Sequence, residues 1–350
     1  MENQNTAIIY GVPKVAYGTK GCTPFPMCIH SCAEYLGLSM DYTQAMAESG
    51  AAFRLIWDTS CWNGGNVDAV LTFDQPDKLF ACGFRAMGRN ITMLERTPDT
   101  KKEEFIRIIR KEIDSGRPVI ALGIIGPPEA CVITGYRDAG DTLLGWNVFQ
   151  EYPENQANVE FDPCGYFITK SWWENPDTLA LLAIGEENIP ALTAKEVLQN
   201  AVETLNGRMC GSNAKGILAY DAWKNAILCD RDFPPDAVFP LLAERMMCHG
   251  DAMYCLSDGR YHAARYLRRL AETHPLQAKK LNAAARDFEK ITEILHGEMI
   301  PTLGGWERGE IQTRRLADPA NRRKFAAQIE RMKAHDERAL TCLRELAESF

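Results

Sequence analysis

The sequence predicts an α+β fold for residues 1–187, followed by an all-α half over residues 188–350. In the first half, short apolar runs bounded by glycine, proline and aspartate alternate with three helical patterns, which is typical of strands mixed with helices. Beyond residue 192 the strand-like runs cease and apolar residues recur at helical spacing. A chain of 350 residues is long enough for two domains of ordinary size, so we expect one domain in each half.

Six segments of the first half are predicted to be strands, and three are predicted to be helices. The strands are AIIYGV, AAFRLIWD, PVIALGI, ACVITGY, DTLLGWNVF and LALLAIGE. The helices are PMCIHSCAEYLG, PDKLFACGFRAM and TKKEEFIRIIRKEIDSG, of which the last ends at Gly116. Tight turns such as residues 138–141 are expected to join the last three strands, which predicts an antiparallel meander.

The second half is predicted to begin with a capped helix, because Thr193 is followed three positions later by Glu196. Further helices are expected over roughly residues 211–229, 236–256, 258–273, 276–299 and 318–348, with proline or glycine between them. The last of these is amphipathic and highly charged. We expect it to pack either on neighbouring helices or on a second subunit, which would make the protein a homodimer.

Composition argues against several classes of protein. A net charge of -8 disfavours a nucleic-acid partner, because phosphate binding requires a clustered basic surface. No segment has the apolar length of a membrane span and the first residues lack a signal-peptide pattern, so we expect a cytoplasmic protein with no membrane association. The twelve cysteines show none of the usual paired zinc spacings, and we expect them to be free thiols, with no metal and no cofactor.

The segment GTKGCTPFPMCIHSCAEYLG, residues 18–37, is the most informative for function. Thr23 is predicted to cap a helix that starts at Pro24 and is closed by Gly37. Cys22 lies just before this helix, where the helix dipole favours a thiolate, and it is either a reactive thiol or an ordinary loop cysteine. One apolar stripe at helical spacing contains two other cysteines, which are therefore predicted to be core residues. The stripe consists of Phe25, Cys28, Ile29, Cys32 and Leu36.

A cysteine beside an early helix that ends in Tyr-Leu-Gly, followed much later by a strand that reads V-I-T-G-Y, resembles the papain-like bacterial families. The first half of the chain is similar in particular to the butirosin biosynthesis protein H N-terminal domain and to the bacteriocin-processing peptidases that cleave double-glycine leaders. The segments FRLIWDTSCWNGGNVD and GRPVIALGIIGPPEACVITGY also resemble a group of bacterial proteins related to that domain. The resemblance implies a papain-like fold for the first half.

In these families a cysteine is the nucleophile, a histidine at the start of the V-I-T-G-Y strand is the base, and an aspartate or asparagine orients the histidine. The resemblance implies that Cys22 is the nucleophile, with a small insertion at residues 23–26. The histidine position falls on Glu129. The orienting position falls near Trp146 or Asn147, of which only Asn147 has a suitable side chain.

Histidine is scarce where the resemblance requires it. Of the six histidines only His30 lies in the first half, so a Cys-His-Asn triad cannot be assembled there without giving His30 an unfamiliar role. Two alternatives remain open. Glu129, which follows two prolines and precedes an apolar strand, would be the base if burial makes it a better proton acceptor, or His249 or His262 would complete the site. A carboxylate that faces solvent or pairs with arginine is the simpler interpretation of Glu129.

Two sets of residues are predicted to bind a substrate. The first is the aromatic and polar cluster in WDTSCWNGGNVD, residues 57–68, which either suits a small polar ligand or forms a turn with an aromatic plug. Its members are Trp57, Asp58, Trp62, Asn63 and Asn66, with Cys61 as a second-choice reactive thiol. The second set is His262 and Arg265, which lie three positions apart on one predicted helix and would hold a substrate carboxylate or phosphate. A metal site built from His249, His262 and an aspartate has no usual spacing, so none is expected.

Together these features predict thiol-dependent acyl transfer or amide hydrolysis on a small or peptide-like substrate. Cys22 would attack the acyl carbon, Glu129 or a histidine from the second half would be the base, and Asn63 or backbone N–H groups at the helix start would hold the oxyanion. The alternative, which the missing histidine favours, is a catalytically inactive papain-like fold that binds a small-molecule ligand.

Overall fold

The fold is α+β, with a large antiparallel sheet and a helical C-terminal region, as the sequence predicts. The chain divides into two units: unit 1 consists of Met1–Ala45 and Asp77–Ala191, and unit 2 of Met46–Pro76 and Leu192–Phe350. Residues 46–76 therefore group with the helical region, although they lie inside the first half of the sequence. The structure is a computed structural model that describes residues 5–18, 21–63, 70 and 75–350.

Helices and strands are numbered in chain order. The strands are β1 (Ala7–Ile8), β2 (Ile56–Asp58), β3 (Arg89–Glu95), β4 (Val119–Leu122), β5 (Ala130–Arg137), β6 (Thr142–Trp146), β7 (Glu160–Phe161), β8 (Phe167–Thr169), β9 (Ala180–Asn188), β10 (Arg208–Cys210) and β11 (Asn213–Lys215). The helices are α1 (Pro24–Tyr35), α2 (Tyr42–Glu48), α3 (Pro76–Ala86), α4 (Lys102–Asp114), α5 (Ala194–Leu205), α6 (Ile217–Leu228), α7 (Phe239–Thr273), α8 (Ala278–Ile294), α9 (Ile300–Leu303), α10 (Glu310–Ala317) and α11 (Pro319–Ser349). A π-helical turn, Leu295–Met299, joins α8 to α9.

The large sheet of unit 1 has the strand order β3-β9-β4-β5-β6-β8-β7. β4 pairs with the first half of β5 and β1 with its second half. The turn at residues 138–141 joins β5 to β6 in an antiparallel hairpin, as predicted. The predicted meander does not continue, because β9 pairs with β3 and β4 while the short strands β7 and β8 lie beside β6. The sequence does not predict β3, β7 or β8, and of the expected strand AAFRLIWD only Ile56–Asp58 is extended.

Helix packing in unit 1 fixes the position of α1 and of the residues just before it. α1 packs against β5, and α4 packs against β5 and β9. The ring of Phe25 in α1 meets the ring of Phe80 in α3 edge-on, with the ring centroids 5.1 Å apart. A Cβ atom at Gly83 of α3 would lie 2.8 Å from the Phe25 ring, so any side chain there would push the two helices apart.

Unit 2 is built on long helices. α7 spans 35 residues and packs on α8, which in turn packs on α11. The sequence predicts two helices in place of α7, but the helix continues through Gly259, where an added Cβ would lie 2.9 Å from the carbonyl oxygen of Ala52. This glycine therefore allows a close approach of two backbones and does not end a helix.

A small sheet, β10-β11-β2, also lies in unit 2. Its hairpin β10–β11 is a strand pair in the second half that the sequence does not predict, because each strand has only 3 residues. The helix predicted over residues 211–229 is wrong at its start, since β11 occupies Asn213–Lys215 and α6 begins at Ile217. The helical character of the region is otherwise as expected. Among the described residues, no helix has the length and apolar character needed to cross a membrane.

Candidate functional site

Cys22 is half-buried and directly precedes the N-cap of α1. Thr23 has the extended backbone of an N-cap and Pro24 occupies the first helical turn, as predicted. The N–H of Thr23 donates to Oη of Tyr42 at 3.2 Å, and Pro24 and Pro26 have no N–H. The start of α1 therefore offers fewer backbone donors than an ordinary helix N-terminus.

The apolar stripe of α1 lies in the core, which confirms the prediction for its cysteines. Phe25, Cys28, Ile29 and Cys32 are fully buried. Burial raises the pKa of the Cys32 thiol far above its usual value, so this cysteine stays protonated. Cys22 thus differs from the other cysteines of this helix segment in being partly accessible.

Glu129 and Asn147 lie at the same end of two neighbouring strands. Glu129 immediately precedes β5 and Asn147 immediately follows β6. The pairing of Val132 with Trp146 brings both positions to the same end of the sheet. Both side chains are buried, with 6% of Glu129 and 1% of Asn147 exposed. Glu129 is therefore not the solvent-facing carboxylate of the simpler interpretation.

The loop that carries Glu129, residues 123–129, is held by side chains from elsewhere in unit 1. Nδ2 of Asn175 donates to the carbonyl oxygens of Gly123 and Gly126, at 2.5 and 3.0 Å. Oγ1 of Thr178 donates to the carbonyl oxygen of Gly123 at 2.9 Å. We call this segment the Glu129 loop, and these bonds give Glu129 a fixed position.

Asn147 is part of the same support. Its Nδ2 donates to the carbonyl oxygen of Ile125 in the Glu129 loop at 3.2 Å, and its Oδ1 accepts the N–H of Phe149 at 2.7 Å. The side chain also hydrogen-bonds the thiol of Cys131, whose pKa is raised to about 12 by burial even though that hydrogen bond lowers it. Asn147 thus holds the loop and the turn that follows β6, residues 147–150, which we call the Asn147 turn.

Phe149 of the Asn147 turn contacts both the Glu129 loop and Tyr17, which precedes Cys22 in the chain. The N–H of Gly18 donates to the carbonyl oxygen of Gly21, next to Cys22, at 3.1 Å. The ring of Tyr17 packs edge-on against the ring of Phe149 in the Asn147 turn, with centroids 6.0 Å apart. A Cβ atom at Gly126 of the Glu129 loop would lie 3.3 Å from the same Phe149 ring. Phe149 therefore contacts both Tyr17, five positions before Cys22, and Gly126, three positions before Glu129.

Sequence reasoning misses the residues that build this support. Asn175 precedes a proline, which is a turn signal, but the Gly123 and Gly126 carbonyls that it binds lie 52 and 49 positions earlier. No local pattern could indicate such a contact. His30, the histidine of unit 1, lies in α1 with its Nδ1 3.9 Å from Oε2 of Glu34.

The first predicted binding cluster packs largely on itself. The ring of Trp57 stacks on Trp223 with centroids 6.1 Å apart and meets Trp62 edge-on at 5.3 Å. Nε1 of Trp62 donates to Oδ2 of Asp232 at 3.1 Å. These contacts use the tryptophan faces for packing, which supports the alternative of an aromatic plug. Asn63 is exposed, and Asn66 lies outside the described residues.

Asp58 and Cys61 form a small polar turn beside those tryptophans. Oδ1 of Asp58 accepts hydrogen bonds from N–H and Oγ of Ser60, at 2.9 and 2.7 Å. Burial alone would raise the pKa of Asp58, but the hydrogen bonds from Ser60, Ser212 and Cys61 outweigh burial and lower it. Asp58 is therefore a charged residue that stabilises its own turn.

His262 and Arg265 point to different partners. Nε2 of His262 lies 3.5 Å from Oδ1 of Asp258, and this histidine is 9% exposed. Arg265 is exposed, and one of its terminal nitrogens donates to Oη of Tyr261 at 2.9 Å. Arg265 lines a groove between α7 and α8 with a volume of about 630 Å³, and His262 does not.

His249 is a core residue of unit 2. It is fully buried, its Nδ1 accepts the Nε1–H of Trp223 at 3.1 Å, and its ring packs against Phe325. Burial, with the nearby charge of Arg308, lowers its pKa to about 3. His249 is therefore neutral at pH 7. Over the part of the chain that the structure describes, no group of three or more His, Cys, Asp or Glu side chains could hold a metal ion.

Comparison with known proteins does not assign the chain to a family. No protein-family model matches it, and no curated protein matches its sequence. The chemistry of the chain is therefore inferred from its own side chains and their surroundings.

Proposed function

We propose that the chain catalyses thiol-dependent acyl transfer or amide hydrolysis on a small or peptide-like substrate, with Cys22 as the nucleophile. The observation that supports this best is that Phe149, two positions after Asn147, contacts both Tyr17 from the segment before Cys22 and Gly126 of the Glu129 loop. The likeness of the sequence to papain-like bacterial families supports the same proposal, since it assigns the nucleophile, base and orienting positions to Cys22, Glu129 and Asn147.

Glu129 is the proposed base. Glu129 is 6% exposed, and a carboxylate is a side chain that can take a proton from a thiol placed within hydrogen-bond reach. Asn175 and Thr178 fix the loop that carries it, and a base acts efficiently only if it is held in place.

The proposed reaction has two steps. Glu129 takes the proton of the Cys22 thiol as sulfur attacks the acyl carbon, and the C–N or C–O bond of the substrate then breaks while Glu129 returns the proton to the leaving group. In the second step water or an acceptor amine attacks the thioester carbon and gives its proton to Glu129. The C–S bond breaks, and the proton returns to the Cys22 sulfur.

Backbone N–H groups are the proposed donors to the oxyanion. Pro24 and Pro26 have no N–H and the N–H of Thr23 donates to Tyr42, so these three residues supply no donor and others at the helix start would have to hold the oxyanion.

The second candidate function is ligand binding by a catalytically inactive fold. One observation favours it: both polar atoms of the Asn147 side chain are occupied, Nδ2 by the Ile125 carbonyl and Oδ1 by the Phe149 N–H. An orienting asparagine needs an atom available for the base that it orients. The two candidates predict different reactivity for Cys22.

The pH dependence of iodoacetamide labelling, followed for each cysteine by peptide mass spectrometry, tests the proposal. We expect Cys22 to react at least about tenfold faster than the exposed Cys164 at pH 6.5, because a thiol with a base beside it is more often ionised. This advantage should be lost in Glu129→Gln.

Two controls make the result specific. Glu174→Gln removes an exposed carboxylate of the same unit and should leave the labelling of Cys22 unchanged. Cys164 provides a reference thiol within each sample. If Cys22 labels no faster than Cys164 in the unaltered protein, the nucleophile assignment is wrong and the binding function is the one to pursue.

A further inference from the structure

The groove between α7 and α8 is a feature of unit 2 that the proposed Cys22 chemistry does not use. Its volume of about 630 Å³ is in the range of small-molecule sites. It is open on one side and is lined mainly by polar and charged side chains. These are Tyr261, Arg265, Arg268, Glu289, Thr292 and His296, among others.

Arg265 is a cation of this groove that has no carboxylate partner among the described residues. Its guanidinium donates to Oη of Tyr261 at 2.9 Å and lies 5.4 Å from the centre of the Tyr261 ring. By contrast, Arg268 forms a bidentate pair with Glu289, with distances of 2.9 to 3.1 Å. Glu272 lines the groove as well, but no ion pair between it and Arg265 is present. Because an arginine fork can hold a carboxylate through two parallel hydrogen bonds, Arg265 can bind an anion from solution.

His296 reaches the same groove from a π-helical turn. The turn Leu295–Met299 interrupts the regular helix between α8 and α9, and such turns are rare and frequent at functional sites. Nε2 of His296 lies 2.9 Å from Oγ of Ser257, and its ring meets Trp306 edge-on at 5.3 Å. The imidazole is therefore held in a fixed orientation at the end of the groove.

We propose that this groove binds a small organic carboxylate, with the carboxylate on the Arg265 fork and the organic part along Tyr261 towards His296. One unpaired guanidinium neutralises one negative charge, and its planar fork matches the planar carboxylate. Glu289 and Glu293, each paired with a cation, line the groove as well and would repel a dianion such as a phosphate monoester. This binding site is independent of the chemistry at Cys22.

Ligand-observed ¹⁹F NMR on the full chain tests the proposal with three probes that share a 4-fluorophenyl ring. The probes are 4-fluorobenzoate, its neutral amide, and 4-fluorophenyl phosphate. We expect the benzoate to bind and the amide and phosphate to bind at least about tenfold more weakly, because the amide loses the charge-assisted hydrogen bonds and the phosphate dianion is repelled by the carboxylates of the groove. Arg265→Gln should weaken the benzoate by a similar factor.

The matched control is Arg323→Gln, which removes an exposed arginine of α11 and should not change the affinity. Arg265→Lys keeps the charge without the fork and should bind at an intermediate level. Far-UV circular dichroism of each variant establishes that it is folded. Absence of benzoate binding up to about 10 mM, equal binding of the amide, tighter binding of the phosphate, or unchanged binding in Arg265→Gln would each overturn the proposal. Because binding is the readout, the result does not depend on whether Cys22 is reactive.

Discussion

Glu129 and Asn147 of unit 1 and the Arg260–Asp336 pair of unit 2 are buried in different parts of their units. Glu129 and Asn147 lie at one end of the unit 1 sheet. In unit 2 a charged pair, Arg260 with Asp336, lies within the helical core with neither side chain exposed. Buried polar groups at an edge can reach a substrate, whereas those in a core can only stabilise or specify the fold.

The Arg260–Asp336 pair is part of a hydrogen-bond network in unit 2. Both Nε and a terminal nitrogen of Arg260 donate to the Asp336 carboxylate, at 2.6 to 3.1 Å, and Oη of Tyr220 donates to the same carboxylate at 2.7 Å. The other terminal nitrogen of Arg260 donates to the carbonyl oxygen of Ala52 at 2.8 Å. The network therefore connects α6, α7 and α11 with the segment before β2, and its role is structural.

Loss of Asp336 should have the largest effect on stability. Asp336→Ala leaves the Arg260 charge buried without compensation, and we expect it to destabilise the protein by about 3–5 kcal/mol or to prevent folding. The measurement is the free energy of unfolding in urea, or the yield of folded protein if the variant cannot be purified.

Two further variants separate the buried charge from other effects. Asp287→Ala removes a carboxylate that pairs with His335 and Arg338 and is 19% exposed, so it should lose about 1 kcal/mol or less. The double replacement Arg260→Met with Asp336→Leu should recover much of the lost stability, because no charge remains buried. If Asp336→Ala were as mild as Asp287→Ala, the contrast between the two units would not hold.

The second test of the unit 2 core is the pH dependence of stability that the buried His249 should produce. Its folded-state pKa of about 3 is below its usual value of 6.5, so the unfolded chain binds the proton more tightly than the folded chain does. The stability that it contributes is fully present above about pH 6.5 and is lost as the pH falls towards 3. Between pH 6.5 and pH 4.5 we expect a loss of about 2–3 kcal/mol, at about 1.4 kcal/mol per unit.

Variants at two histidines assign this loss. Other groups also titrate in the same range, so the relevant quantity is the difference in pH dependence between the unaltered protein and His249→Gln. The variant should lose the extra decline in unfolding free energy below pH 6.5. His274→Gln, at a partly exposed histidine just after α7, should retain it. An identical decline in both variants would mean that His249 is not the group responsible.

Local features of both units could be predicted from the sequence. The N-cap of α1 at Thr23, the buried stripe with Cys28 and Cys32, and the capping box of Thr193 with Glu196 are all present as expected. Each of these depends on residues within one or two helical turns, where spacing determines which side chains are neighbours.

Features that depend on distant contacts could not be predicted. β9 pairs with both β3 and β4, and Asn175 hydrogen-bonds the Glu129 loop. Both features join residues that lie far apart in the chain. The helix α7 continues through Gly259 because of its contact with Ala52, which no local pattern records. The candidate site required both kinds of information, because the sequence indicates Cys22 whereas the contacts of Glu129 and Asn147 are visible only in the tertiary structure.

Replacement of Asn147 should have the smallest of the three effects on stability. It tests the end of the unit 1 sheet that contains Glu129 and Asn147. Asn147→Ala removes the bonds to the Ile125 carbonyl and the Phe149 N–H, which should lower the free energy of unfolding by about 1–2 kcal/mol. Asn155→Ala is a matched control, since Asn155 is less buried and its amide makes one bond, to the Phe149 carbonyl oxygen, so its loss should be smaller.

The labelling rate of Cys22 in Asn147→Ala tests whether the end of the unit 1 sheet that contains Glu129 and Asn147 affects the reactivity of Cys22. If Asn147 only supports the Glu129 loop, the variant should be less stable and Cys22 should lose its rapid labelling as well, because Glu129 is then no longer held in position. A variant that is destabilised but labels as before would show that the loop keeps its place without Asn147. The hydrogen bonds of Asn147 would then be structural, as those of Asp336 are. The buried polar groups of the two units would differ in where they lie but not in what they do.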